Sequence, residues 1–410
     1  MDAFFASVEQ SKKPWLKGKA IAVSGNPNGR SVVATCSYEA RRYGIHSGMP
    51  LSTAKKLYPE LIIIKCSMND YEAISENIYN LCCEYSPAVE YFSVDEVFMD
   101  FSYLTKSYEE VLLIAKTIKL DILKRFGLTC SIGISYNKLV AKLASKLCKP
   151  DGLMCIKEDE ALDILKTLPV GKITGIGKRT EELLKNNLNV KTAGDLMKIP
   201  LLDLTKVFHS YGKFLYDSCR GIDESPVITQ TDLAPPKSVG NSVTLEKDTD
   251  DMEEIKAVLK MLSTKVSSRL RSAHFEGKRL TITVRYHDFQ TFTHAIEIKP
   301  TNLDSEIYAG SLKAFMDIYN DTKIRLLGVS MSLLEKAEEA SLFDDNQNGK
   351  ERKVLEAMDT ARKKFGYNKL EYGTVNSLKG DFYLDKGIAY TENTKIKADV
   401  ADVLIAGDIG

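Results

Sequence analysis

The chain has 410 residues, 44% apolar and 27% charged, and its 56 basic and 56 acidic side chains cancel to a formal net charge of zero. That is enough for several domains with packed cores, in proportions ordinary for a soluble globular protein. No apolar run approaches a membrane span and the first residues lack a secretory pattern, so a cytoplasmic protein with no membrane partner is expected.

The eight cysteines show no C-x-x-C spacing, which argues against a zinc or disulfide framework and for reduced, packed thiols. Zero net charge argues mildly against nucleic-acid binding, but charge is unevenly placed. From Cys130 to Pro150 there are lysines and no acid, while acid gathers near residues 246–254 and 335–345. Such segregation can leave a basic channel on a neutral protein.

In chain order, residues 1–10 open without a lead-in strand. Residues 19–25 read as a strand, and a second near 31–35 runs into a helix containing Tyr38, Glu39, Ala40 and Arg41. The region to about Ser67 forms a small αβ unit, and residues 69–85 a helix. Two β-rich stretches follow, with Asp95 and Glu96 between them. Neighbouring side chains on a flat strand face opposite ways, so the backbone must turn or bulge if both carboxylates serve one site. A hairpin tip would present two hard oxygen ligands suited to Mg²⁺; ordinary turn chemistry is the plainer alternative.

Residues 108–126 read as a helix and 129–135 as a strand. Asn137 then opens an amphipathic helix with Leu139, Leu143 and Leu147 on one side. Lys138, Lys142 and Lys146 line another side with no acid nearby in sequence, which points to an anion-binding face rather than a merely solvated one. After a helix over 158–168, Gly175-Ile176-Gly177-Lys178-Arg179-Thr180 leads into a further helix. A helix, a Gly-x-Gly turn and a second helix place backbone N–H groups where they can hold a DNA phosphate without reading sequence.

Residues 222–237, with Pro226, Pro235 and Pro236, read as an extended linker. Beyond it, segments 239–246, 252–272, 279–287, 292–298, 303–319 and 324–334 give the order β-α-β-β-α-β. Leu280, Ile282, Val284 and Tyr286 alternate with Thr281, Thr283, Arg285 and His287. One face is core, and the other suits either a phosphate backbone or solvent. Ser341-Leu342-Phe343 stands among acids, and residues 350–365 read as a helix.

Four motifs in order resemble the Y-family translesion DNA polymerases, in the bacterial DinB/UmuC-like group: Asp2-Ala3-Phe4-Phe5-Ala6-Ser7-Val8-Glu9, Tyr38-Glu39-Ala40-Arg41, Ser93-Val94-Asp95-Glu96, and Ser131 through Lys149-Pro150-Asp151-Gly152. The resemblance implies an α+β, multidomain right-hand polymerase. Its ferredoxin-like palm would take residues 1–9 and 68–156, small fingers 10–67 and a helix-hairpin-helix thumb 157–228. A linker over 229–236, a β-α-β-β-α-β little finger over 237–336 and a tail over 337–410 would complete it. The implied reaction is error-prone, template-directed transfer of a dNTP to a primer 3′-OH on primer-template DNA, with two Mg²⁺ ions.

Asp95 and Glu96 are then the metal ligands and catalytic carboxylates. Phe4, Phe5, Thr35, Tyr38, Arg41 and Lys149 hold the nucleotide, with Phe5 as steric gate. Lys138, Lys142, Lys146, Gly175, Gly177, Lys178, Thr180, Thr281, Thr283 and Arg285 contact DNA. Ser341, Leu342 and Phe343 match a sliding-clamp peptide, with Glu339 where the family carries Gln. A monomer is expected. The family's opening motif carries two aspartates separated by one residue. Here Met1 holds the spacer position and Asp2 matches the second, so either the first lies upstream or the chain is a non-catalytic DNA- and clamp-binding relic.

Overall fold

The computed structural model describes residues 1–27, 29–105, 107–337 and 347–365. They fall into two compact units, one holding Met1–Pro27 and Ser31–Leu233, the other beginning at Ala234. Among the described residues no helix is long and apolar enough to cross a membrane.

The first unit opens with α1 (Phe4–Lys12), whose Phe4, Ala6, Val8 and Glu9 face inward. Strands β1 (Ile21–Ser24), β2 (Val33–Cys36) and β3 (Ile62–Lys65) form a sheet in the order β2-β1-β3, antiparallel then parallel. Helices α2 (Tyr38–Arg41) and α3 (Leu51–Leu57) lie between the second and third strands. The Ser37 hydroxyl accepts from the Ala40 N–H and so starts α2 at Tyr38.

Next come α4 (Met68–Cys83) and the antiparallel hairpin β4 (Ala88–Ser93) and β5 (Glu96–Asp100). Its register shifts between Tyr91 and Ser93, and Val94 and Asp95 form the turn, so the chain both bulges and turns at the carboxylates. Helix α5 (Tyr108–Phe126) starts on the Ser107 hydroxyl and stops at Gly127, with φ +67°. Strand β6 (Ile132–Ile134), α6 (Lys138–Leu147) and β7 (Leu153–Cys155) follow, β6 and β7 pairing in parallel. A Cβ on Gly133 would lie 2.0 Å from the Ala141 carbonyl oxygen, so only glycine lets α6 sit this close to β6.

In the segments expected to form the palm, β4–β5 and β6–β7 are separate two-stranded pairs. Between them lies a cavity of about 460 Å³, lined by Val97, Met99, Ile118, Ile122, Ile132 and Ile134. The edges of β5 and β6 do not pair with each other, and Asp95, Glu96 and Lys142 line the same cavity beside the apolar side chains.

Helices α7 (Glu158–Thr167), α8 (Lys178–Leu188), α9 (Ala193–Met197), α10 (Leu201–Phe208) and α11 (Tyr211–Cys219) complete this unit. Their core includes Val170, Ile173, Leu184, Leu196, Leu204 and Leu215. Gly175 has φ +95°, and a Cβ there would meet the Phe214 ring at 2.4 Å.

The second unit is β8 (Ser238–Thr249), α12 (Met252–Ser272), β9 (Phe275–Tyr286), β10 (Thr291–Thr301), α13 (Asp304–Met316) and β11 (Ile324–Lys336), then α14 (Gln347–Phe365). The sheet order is β10-β9-β11-β8, all antiparallel. Leu280, Ile282, Val284 and Tyr286 are buried as their alternation requires. The opposite face carries Thr281, Thr283 and Arg285 beside Gly328 and Ser330 of β11. Arg271 of α12 joins Asp304 of α13 to Asp359 of α14 at 2.9 and 2.7 Å.

Candidate active site

The site is built on the β4–β5 hairpin. Asp95 sits in the turn, where its Oδ1 accepts from Ser93 Oγ at 3.0 Å. Glu96 begins β5 opposite Ser93, and its Oε2 accepts from Lys142 Nζ at 2.6 Å. Burial works to raise the Glu96 pKa; the charge and hydrogen bond of Lys142 outweigh it and hold the carboxyl below its ordinary value. The Lys142 ammonium also lies 4.3 Å from the Phe92 ring centroid.

These contacts correct the expected lysine stripe. Lys138 and Lys142 do not face solvent as unbalanced cations, because acids distant in sequence meet them. Lys142 pairs with Glu96, Lys138 Nζ donates to Glu90 Oε2 at 2.9 Å, and the two lysine side chains are 11% and 15% exposed. Of the three, Lys146 alone is exposed.

Around the carboxylates, Lys149 Nζ donates to the Met1 carbonyl at 2.7 Å. Asp2 is 1% exposed and accepts from Ser131 Oγ and from the Asp151 N–H, both at 2.8 Å. It thereby ties the start of the chain to the turn that carries Lys149. Phe5 stacks on Tyr71 with centroids 4.4 Å apart and planes at 15°. Tyr71 is fully buried and donates to Glu9 Oε1 at 2.8 Å; burial, then Glu9, raises its phenol well above the ordinary range. Phe4, expected at the nucleotide, is 3% exposed, and its side chain belongs to the core rather than to the site.

Tyr38 is half-buried beneath the Arg41 guanidinium, which stands 4.7 Å from its ring. Its hydroxyl is buried and has no hydrogen-bond partner among the described residues. Burial, then the Asp2 carboxylate, raises its pKa, so it is a neutral donor awaiting an acceptor. Thr35 lies on β2, half-exposed. Sequence reasoning missed Tyr71, and it quoted Ser93 and Glu9 within their motifs without giving either a role.

Farther out, Lys178 and Arg179 are exposed at the start of α8, which Gly177 precedes. Thr180 is half-buried there, and Gly175 O accepts from Tyr211 Oη at 2.5 Å. In the second unit Thr281, Thr283 and Arg285 are half-exposed, and Arg285 Nε donates to Thr291 Oγ1 at 2.8 Å. Ser341, Leu342 and Phe343 lie outside the described residues.

Among the described residues no group of three or more His, Cys, Asp or Glu gathers as a metal site. Asp95 and Glu96 nonetheless fit a hard divalent cation that takes few protein ligands. Both are oxygen donors at an open hairpin tip, and a cationic ammonium already sits on one Glu96 oxygen.

Comparison with known proteins agrees with this fold. Residues 1–146 match the impB/mucB/samB family, residues 236–342 that family's C-terminal domain, and residues 168–222 the DNApol eta/Rev1 HhH motif. A solved Y-family DNA polymerase chimera of Dbh and Dpo4 is similar with a TM-score of 0.72 and 26% identity, over 81% of this chain and 96% of that one. The insertion ternary complex of Dbh DNA polymerase matches at 0.56 and 26% over the same shares. The fold is thus that of a Y-family polymerase. DNA polymerase IV of Clostridium perfringens is 40% identical over 338 residues, 82% of this chain and 93% of that protein. The chain belongs to the Y-family DNA polymerases, in the DNA polymerase IV group of the impB/mucB/samB family, and is a DNA-directed DNA polymerase of the translesion type.

Proposed function

We propose that the chain extends a primer 3′-OH on damaged templates with two Mg²⁺ ions held by Asp95 and Glu96. The carrying observation is the hairpin that presents both carboxylates at one tip, with Asp95 oriented by Ser93 and Glu96 charge-balanced by Lys142. When bound, the metals stabilise charge on the attacking and leaving oxygens. The protein's own part is binding and orientation. Arg41 and Lys149 supply fixed positive charge for a triphosphate, the unpartnered Tyr38 hydroxyl supplies a neutral donor, and Thr35 supplies a second hydroxyl. Phe5, braced by Tyr71, is placed to exclude a ribose 2′-OH.

Primer-template DNA is held through phosphates by Lys146, by the N–H groups at Gly175 and Gly177 with Lys178 and Thr180, and by the Thr281, Thr283 and Arg285 face. We assign residues 1–9 and 68–156 to a palm, 10–67 to fingers, 157–228 to a thumb and 237–336 to a little finger, working as a cytoplasmic monomer. A sliding clamp is the further partner, through Ser341, Leu342 and Phe343. The test is primer extension on intact and lesion-bearing templates. Mg²⁺-dependent synthesis past the lesion supports the reading; no extension in Mg²⁺ rejects it.

A further inference from the structure

The stretch after α11 reads in sequence as an open linker, yet its first half is fastened to the body of the first unit. Gly221 O accepts from Tyr136 Oη at 3.0 Å and from Asn137 Nδ2 at 2.7 Å. Asp223 Oδ2 accepts from the Leu139 N–H at 3.0 Å, at the start of α6. Farther along, Pro226 O accepts from Lys138 Nζ at 2.8 Å, and the Ile228 N–H donates to Glu90 Oε2 at 3.0 Å. That same oxygen takes the Lys138 ammonium at 2.9 Å. Glu90 is 7% exposed.

We propose that Glu90 and Lys138 are positioning residues that form a clasp. By fixing Pro226 and Ile228, they set the length of the tether to the C-terminal module and so restrict where that module can reach. The chemistry favours a fixed geometry. One buried carboxylate oxygen is shared by an ammonium and a backbone N–H, and both hydrogen bonds are charge-assisted. Such a buried pair contributes little net stability, but losing either partner strands a charge, so one arrangement is strongly specified.

With the clasp closed, nine residues (229–237) separate Ile228 from the start of β8; opened back to Asp223, which the Leu139 N–H still holds, fourteen do (224–237). Effective concentration across a flexible tether falls roughly as the −3/2 power of its length, so opening dilutes the module about twofold before any loss of orientation. The clasp itself stands on contacts within the first unit; only its effect on DNA rests on the functional reading above.

Hydrogen exchange on the full chain tests the clasp, alongside energy transfer between dyes placed in each unit through unnatural amino acids. In the wild type the Ile228 amide should be protected. In Glu90→Ala its exchange should rise at least tenfold and the interdye distances broaden, while β4–β5 protection stays unchanged. Lys138→Met should broaden the distances too, and carries the test if Glu90→Ala fails to fold. Glu90→Gln, which keeps an acceptor for Ile228 but loses the charge, should fall between. Affinity for primer-template should drop about twofold in Glu90→Ala. An unprotected Ile228 amide in the wild type, or variant distance distributions matching the wild type, would overturn the clasp. Broadened distances with unchanged DNA affinity would instead refute the DNA-holding role of the module.

Discussion

Gly133→Ala tests whether packing of α6 on β6 sets the catalytic geometry. The added Cβ would stand 2.0 Å from the Ala141 carbonyl oxygen, 2.4 Å from the Ser145 nitrogen and 2.8 Å from the Ala144 Cβ. Two of these are helix backbone, so no side-chain rotation relieves them, and α6 must back away by about 1 Å. Overpacking of this kind costs about 3 kcal/mol. For a unit of roughly 200 residues that corresponds to a fall in Tm of about 6–12 °C. The same displacement carries Lys142 away from Glu96, and misplacement on the order of 1 Å can cost about 100-fold in rate. Gly177→Ala is the control, since its Cβ would meet nothing within 4 Å; it should cost below about 1 kcal/mol. Thermal melts and single-turnover extension read both effects. A Gly133→Ala protein melting within a degree of wild type at full rate would refute the reasoning.

Phe5→Ala should admit ribonucleotides, and Tyr71→Ala, which removes the ring that Phe5 stacks on, should relax sugar discrimination while leaving Phe5 in place. The ratio of ribonucleotide to deoxynucleotide incorporation measures both, and an unchanged ratio in both would remove Phe5 as gate. Burial pushes the Cys82 thiol up to about 12 and the Cys130 thiol up to about 11. At pH 8 the Cys130 thiolate is then about one part in a thousand. Native protein should therefore label at exposed Cys83 and resist at Cys82 and Cys130. Because both folded values lie above the ordinary 9.0, the stability these thiols contribute is complete below pH 9 and is lost as pH rises through 11 and 12. Mass spectrometry after alkylation gives the site pattern. Arg271→Ala removes the cation from Asp304, which is fully buried, and leaves α14 held to α12 at Asp359 by the Ser268 hydroxyl. It should destabilise the second unit by about 3–5 kcal/mol and raise exchange across α14; unaltered exchange there would contradict the bridge.

Much of this architecture was legible locally. The helix over Tyr108–Phe126 announces both ends, with Ser107 as N-cap and Gly127 as left-handed stop. Asn137 caps α6 from its side chain, and alternation from Leu280 to Tyr286 assigns the two faces of β9. Short strands were not legible: β3 and β7 hold four and three residues, and their pairing depends on partners elsewhere in the chain.

The site was half legible. Asp95 and Glu96 are adjacent, and the need for a turn or bulge follows from strand geometry alone. The surroundings are set by contacts no window along the chain can see. Lys142 meets Glu96 across 46 positions, Lys138 meets Glu90 across 48, and Tyr71 meets Glu9 across 62. A stretch free of acid in sequence therefore read as an outward basic face, while in space two of its four lysines turn inward onto carboxylates.

Divalent-ion titration of the wild type beside Asp95→Asn and Glu96→Gln addresses the carboxylate hairpin most directly, with Mn²⁺ binding read by electron paramagnetic resonance and extension rate read in parallel. Wild type should bind the ion and extend the primer. Each variant should weaken ion binding and slow extension by a thousandfold or more, on the order of 4 kcal/mol of barrier. Equal Mn²⁺ affinity and equal rates in all three proteins would contradict it.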